Sequence, residues 1–159
     1  MNSIIEKKKI YKSIWLNTID AVTTDGVREQ FIFNNLPLIQ VRGISSILKV
    51  NTITVGGDGE ADAAGHNWNV KLDNIKYNRA NYFNSDKNQI PTIACFNYDT
   101  KNSVNNSDFS LQLENQDINQ LILYVKSDKR GNEESHGLYK NSKDIELHIN
   151  LVIEEIHEF

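Results

Sequence analysis

Four histidines, one cysteine and a glycine-rich acidic loop are the residues through which this chain could do chemistry. His66, His136, His148 and His157 include no pair at i, i+4, and none lies close to Cys95. A zinc site needs three or four converging ligands, so no metal site is expected. His148 falls on the polar face of an alternating segment, the ordinary place for a surface histidine. Cys95 lies in Ile93-Ala94-Cys95-Phe96 and reads as a small hydrophobe buried in a strand. A thiolate nucleophile would need a histidine and an orienting acid beside it. There is no G-x-S-x-G elbow. The loop Gly56 to Gly65 carries Asp58, Glu60 and Asp62. It lacks the Lys-Ser/Thr and following helix of a phosphate cradle, and the sixth-position Gly and twelfth-position Glu of an EF-hand. It is read as a hairpin loop. The expectation is a non-enzymatic protein with no catalytic residues, no cofactor and no metal.

Composition bounds the partners. The chain has 159 residues, enough for one domain with a core that needs no covalent staples. One cysteine excludes an intrachain disulfide. A net charge of -4 argues against a general nucleic-acid binder. No run of 18 apolar residues is present, so no membrane-spanning helix is expected. The lysines near the start are followed by no apolar stretch, so no signal peptide is expected, and the sequon Asn105-Asn106-Ser107 is expected to be unused. Lys7, Lys8, Lys9 and Lys12 make a basic start, while Glu154, Glu155 and Glu158 make an acidic end. Solvated termini are the preferred reading over an electrostatic docking arm. Residues 1–9 are assigned as a basic N-terminal arm and 10–159 as a single domain.

The elements that must position any site are strands. From Asp144 to Glu158, Ile145, Leu147, Ile149, Leu151 and Ile153 fall on every second position. A period of two gives an extended strand one apolar and one polar face. Seven further strands are predicted: Ile10 to Asp20, Arg28 to Asn34, Leu38 to Val55, Asn67 to Tyr77, Ile90 to Tyr98, Asp108 to Leu113 and Leu121 to Ser127. In the first, Ile14 and Leu16 face inward and Trp15 outward. The Leu38 to Val55 run hinges at Gly43-Ile44-Ser45. Its inward face changes between Leu48, Val50 and Ile53, Val55, which predicts a bulge near Asn51. Asn115 to Gln120 could hold one helical turn. Asn occurs 21 times and Ile 19 times, the composition of Asn-rich turns between Ile-rich strands. The predicted fold class is all-β, an eight-stranded antiparallel jelly-roll-like β-sandwich.

Aromatic side chains in loops are the remaining candidates. Tyr77, Tyr82 and Phe83 surround Y-N-R-A-N-Y-F-N-S-D. Such a cluster can cap its own core, fill a neighbour's pocket or stack on a sugar. With Lys7, Lys8, Lys9 and Arg130 they form the candidate interaction surface.

The strand order, W-N-V-K-L-D-N-I-K-Y-N, S-D-K-N-Q-I-P-T-I-A and the closing I-E-L-H-I-N-L-V-I-E-E resemble, across nearly the full chain, single jelly-roll capsid proteins. These are minor, vertex or spike-associated virion proteins of eukaryotic double-stranded DNA viruses, of the giant-virus or virophage type. The resemblance implies eight strands in two sheets, no enzymatic activity and a role in shell assembly in the virion after folding in the host cytoplasm. Expected partners are copies of itself, as a trimer or pentamer, and other capsid proteins, with no nucleic acid and no membrane insertion. The alternative is a carbohydrate- or receptor-binding β-sandwich taking a host glycan. That alternative requires an exposed aromatic platform and loses its best ones if Trp15 and Trp68 are both buried.

Overall fold

The computed structural model describes residues 6–23, 30–57, 67–80, 90–97, 109–127, 139–140 and 143–158. Among the described residues every strand pairing is antiparallel. In chain order the strands are β1 (Lys7–Asn17), β2 (Val22–Thr23), β3 (Gln30–Phe33), β4 (Ile39–Val41), β5 (Ser45–Gly57), β6 (Asn67–Leu72) and β7 (Tyr77–Ala80). They continue as β8 (Thr92–Asn97), β9 (Ser110–Leu113), β10 (Gln116–Ile118), β11 (Leu121–Ser127), β12 (Tyr139–Lys140) and β13 (Lys143–Glu158). A single 3-10 turn, Thr18–Asp20, follows β1.

One large sheet runs β1-β13-β5-β9-β7, with β12 paired onto β13; the other large sheet runs β2-β3-β11-β6-β8, and β10 and β4 form a small two-stranded sheet. The eight principal strands correspond to the eight predicted ones. Numbered by rank along the chain, they pair first with eighth, second with seventh, third with sixth and fourth with fifth. This is the winding of one long antiparallel hairpin rolled up, with successive rungs placed on alternate sheets. The inward rows of both sheets meet in a single core. Leu48, Leu111, Leu147, Ile149, Leu151 and Ile153 come from one sheet, and Phe31, Trp68, Val70, Leu121 and Leu123 from the other. Trp68 stacks on its cross-strand partner Phe96 at 6.3 Å. Each large apolar side chain buried this way contributes about 1.5–3 kcal/mol relative to exposure.

The bulge falls at Asn51. Leu151 pairs with Val50 and Asn150 with Thr52, so Asn51 is the extra residue. The added residue turns the side-chain alternation over, which lets Leu48, Val50 and Ile53 all face the core.

Four expectations are corrected. The strand predicted over Asn67 to Tyr77 ends at Leu72, and Tyr77 begins β7 on the opposite sheet. Asn74 makes the break: its Oδ1 accepts from Ile122 N at 2.9 Å and its Nδ2 donates to Gln120 O at 2.8 Å. The side chain thereby replaces a strand rung. The helical turn expected within Asn115 to Gln120 is instead β10, paired with β4. Gln116 holds it there, accepting from Lys76 N and donating to Lys76 O. Cys95 lies on the outer side of β8, half-buried, its thiol donating to Asn69 Oδ1 at 2.9 Å. Ala94 and Phe96 take the core positions. Finally, Lys7, Lys8 and Lys9 are not an arm; they are the first residues of β1, paired with Glu158, His157 and Ile156.

Candidate interaction surface

The predicted surface residues do not form one patch. Lys7, Lys8 and Lys9 lie on β1 and Tyr77 on β7, opposite edges of one sheet. Four strand spacings separate them, roughly 19 Å. Tyr77 is half-buried and packs against the core. Tyr82, Phe83 and Arg130 lie outside the described residues. The acidic loop residues Asp58, Glu60 and Asp62 and the histidines His66 and His136 also lie outside them. Among the described residues no cluster of His, Cys, Asp and Glu could hold a metal ion, and no helix is long and apolar enough to cross a membrane.

The basic start and the acidic end are zipped together. On the outer face, Glu154 lies between Lys9 at 3.1 Å and Lys49 at 3.5 Å, linking β1, β13 and β5. The hydrogen bond from Lys9 holds the Glu154 carboxyl below the usual carboxylate range, and Glu154 raises the Lys9 ammonium in turn. Exposed pairs of this kind add little stability.

A buried polar cluster closes one end of the sandwich. The inward row of β13 runs Leu147, Ile149, Leu151, Ile153 and then Glu155, whose side chain has 0% exposure. The inward row of β1 runs from Leu16 and Ile14 to Lys12. Glu155 accepts from Lys12 Nζ at 3.1–3.2 Å, from Arg42 N at 3.2 Å, and pairs with His157 Nε2 at 2.9 Å. Burial is the largest single influence on its carboxyl and pushes it up. The bonds to His157, Lys12 and the Arg42 amide together outweigh burial, so the group sits below its ordinary value. Lys12 also donates to Gln40 O. The 42–45 segment is pressed over this cluster: Ile44 N donates to Ile156 O at 2.8 Å, and a Cβ at Gly43 would lie 2.9 Å from the Ile156 and Ser45 carbonyl oxygens. Ser46 Oγ is buried with no hydrogen-bond partner among the described residues. Serine, histidine and glutamate thus lie close together, but the serine–histidine bond that nucleophilic catalysis requires is missing. His157 spends Nε2, the nitrogen that faces the nucleophile in a triad, on the carboxylate, and Ser46 bonds to neither group. The cluster anchors the two strand ends and the 42–45 crossing.

The accessible chemistry lies along β1, an edge strand. Its outward face presents Tyr11 at 61% exposure and Trp15 at 69%. Ile19, Val22 and Leu38 are exposed beside it. Leu38 shares a groove with Lys12, and Val22 shares a cleft with Trp15. That cleft, about 250 Å³, opens between the β1 edge and the β2–β3 edge of the other sheet. Trp68, by contrast, is 3% exposed in the core.

Lys12 and Glu155 were detectable in the sequence as charged residues that continue an apolar row at the correct parity. The open flank had no such sign, because nothing in a single strand says which neighbour it lacks. No protein-family model and no curated protein matches this chain.

Proposed function

We propose that the chain is a non-enzymatic structural protein, a minor capsid, penton or spike component of a virion, working through protein–protein contact. The observation that carries this reading is the β1 flank, where five exposed apolar side chains, Tyr11, Trp15, Ile19, Val22 and Leu38, border a strand that lies at the sheet edge among the described residues. Isolated exposed apolar residues are ordinary; grouped along an edge they mark a contact site or a liability. The strand pairing of first with eighth, second with seventh, third with sixth and fourth with fifth supports the reading, because it is the pairing expected of a jelly roll, a fold used by viral capsid domains. Symmetric assembly lets one such patch, burying on the order of 1,000 Å² or more, serve every copy. Sedimentation at micromolar concentration tests it. The wild type should run as a closed oligomer, trimer or pentamer, and Leu38→Glu should shift it to monomer. A wild type that stays monomeric, alone and mixed with extracts of disassembled particles, would sink the proposal.

The second reading is a carbohydrate- or receptor-binding module. Trp15 supports it, since the platform that this reading requires is exposed.

A further inference from the structure

The cleft beside Trp15 combines three kinds of group that one ligand chemistry would satisfy together. The first is the flat, exposed indole of Trp15, held on a strand whose neighbours are tied across to β13: Asn150 Nδ2 donates to Ser13 Oγ at 2.7 Å and to Ile14 O at 3.3 Å. The second is a pair of amides with their oxygen ends already engaged. Asn17 Oδ1 accepts from Ile19 N at 3.0 Å, and Asn34 Oδ1 accepts from Gln120 Nε2 at 2.6 Å. Each therefore keeps an NH2 group with no bond to another described residue, on a side chain whose orientation is set. The third is the Asp20 carboxylate, an acceptor with no ion pair among the described residues. Phe33 and Val22 supply apolar wall.

A pyranose ring has a C–H face that packs on an aromatic plate and a rim of hydroxyls that both donate and accept. Its hydroxyl oxygens suit the Asn17 and Asn34 amides, and a hydroxyl hydrogen suits Asp20. A purely apolar ligand would leave all three polar groups to lose water without replacement. An anionic ligand would meet Asp20 on a chain of net charge -4. The cleft is smaller than the roughly 300–1,000 Å³ typical of sites for larger organic ligands, a size suited to one ring. We propose that this cleft binds a terminal neutral monosaccharide unit of a glycan, stacked on Trp15. The proposal rests on the second functional reading, and it competes with the assembly reading for Trp15 and Val22, which line the cleft and also belong to the β1 contact patch.

The test uses the full chain and the methyl glycosides of glucose, galactose, mannose and N-acetylglucosamine, with sialyllactose as the anionic comparison. Because Trp68 is buried, changes in accessible tryptophan emission report Trp15. At least one neutral glycoside should give a saturable blue shift and protection from acrylamide, with a dissociation constant of about 1 mM. Sialyllactose should bind more weakly. Saturation-transfer NMR then follows the variants: Trp15→Ala should weaken binding at least about tenfold, the equivalent of about 1.4 kcal/mol, whereas Trp15→Phe should retain most of it. An unchanged melting temperature in Trp15→Ala shows that the loss is local. Glycan binding that survives Trp15→Ala overturns this site while keeping the second reading. No saturable binding to these glycosides or to a glycan array overturns both.

Discussion

Replacing Lys12 by methionine tests whether the sandwich end is held by charge or merely by packing. Methionine keeps much of the apolar stem, so the change is chiefly the loss of the ammonium. Glu155, at 0% exposure, would keep its bonds to His157 and the Arg42 amide but lose its lysine. Removing one partner of a buried ion pair costs about 3–5 kcal/mol, because the other charge stays buried. Lys12 is itself 32% exposed, so solvent screens the pair and the low end, about 3 kcal/mol, applies. At about 2–4 °C per kcal/mol for a chain of this size, the melting temperature should fall by about 6–12 °C. The double variant Lys12→Met, Glu155→Met should recover up to about 2 kcal/mol of that loss, leaving chiefly the unmet Arg42 N–H, at about 1–3 kcal/mol. pH gives the second arm. The Glu155 carboxyl lies below its ordinary value of 4.5 in the folded chain, so its ionised form stabilises the fold above that value. This contribution fades as pH falls through the folded-state value. Thermal melts followed by circular dichroism should therefore show the full gap between wild type and Lys12→Met near neutral pH, closing in acid below 4.5. A gap under about 1 °C at neutral pH, where several degrees are expected, or one that persists unchanged into acid, would refute the charge argument.

The two tryptophans should behave oppositely under substitution. Trp68→Ala, which empties the stack on Phe96, should cost about 3–5 kcal/mol, whereas Trp15→Ala should stay within about 0.5 kcal/mol in denaturant melts. Gly43→Ala should destabilise by about 1–3 kcal/mol, because its Cβ would meet two backbone oxygens that cannot swing away; an unchanged urea midpoint would show that the 42–45 crossing is loose. Deleting Asn51 removes the bulge but keeps Val50 opposite Leu151, Thr52 opposite Asn150 and Ile53 opposite Ile149, so Ile53 stays on the core face and the loss is chiefly the Asn51–Asn150 hydrogen bond, about 0.5–1.5 kcal/mol. That chain should still unfold cooperatively with a slightly lower midpoint, and loss of the transition would mean that the bulge is needed for more than register.

Much of the fold could be read from local pattern. The eight principal strands, the hinge at Gly43-Ile44-Ser45 and the bulge at Asn51 all follow from where side-chain alternation holds, stops or inverts. The ends of elements were harder to place. Tyr77 continues the Asn67–Leu72 stretch in sequence, yet the Asn74 side chain sends it to the other sheet. β10 is only three residues long and exists because β4 lies beside it, which no window over Asn115 to Gln120 contains. For Cys95, alternation was correct but the phase was not: Ala94 and Phe96 took the interior, and the thiol faces Asn69.

The candidate site was less legible for the same reason. Lys7, Lys8 and Lys9 look like a free basic tail when read apart from Glu154 and Glu158, which stand at the other end of the chain. Alternation is a property of neighbouring residues, so one strand carries it complete: that Trp15 and Ile14 point to opposite sides is written in the chain. Which strand covers which edge depends on partners more than a hundred residues away, as when Ile14 meets Leu151. Only the wound-up chain, therefore, leaves β1 with no paired strand on one side among the described residues, sets Trp15 beside Asp20 and Asn34, and draws Glu155 out of water onto Lys12.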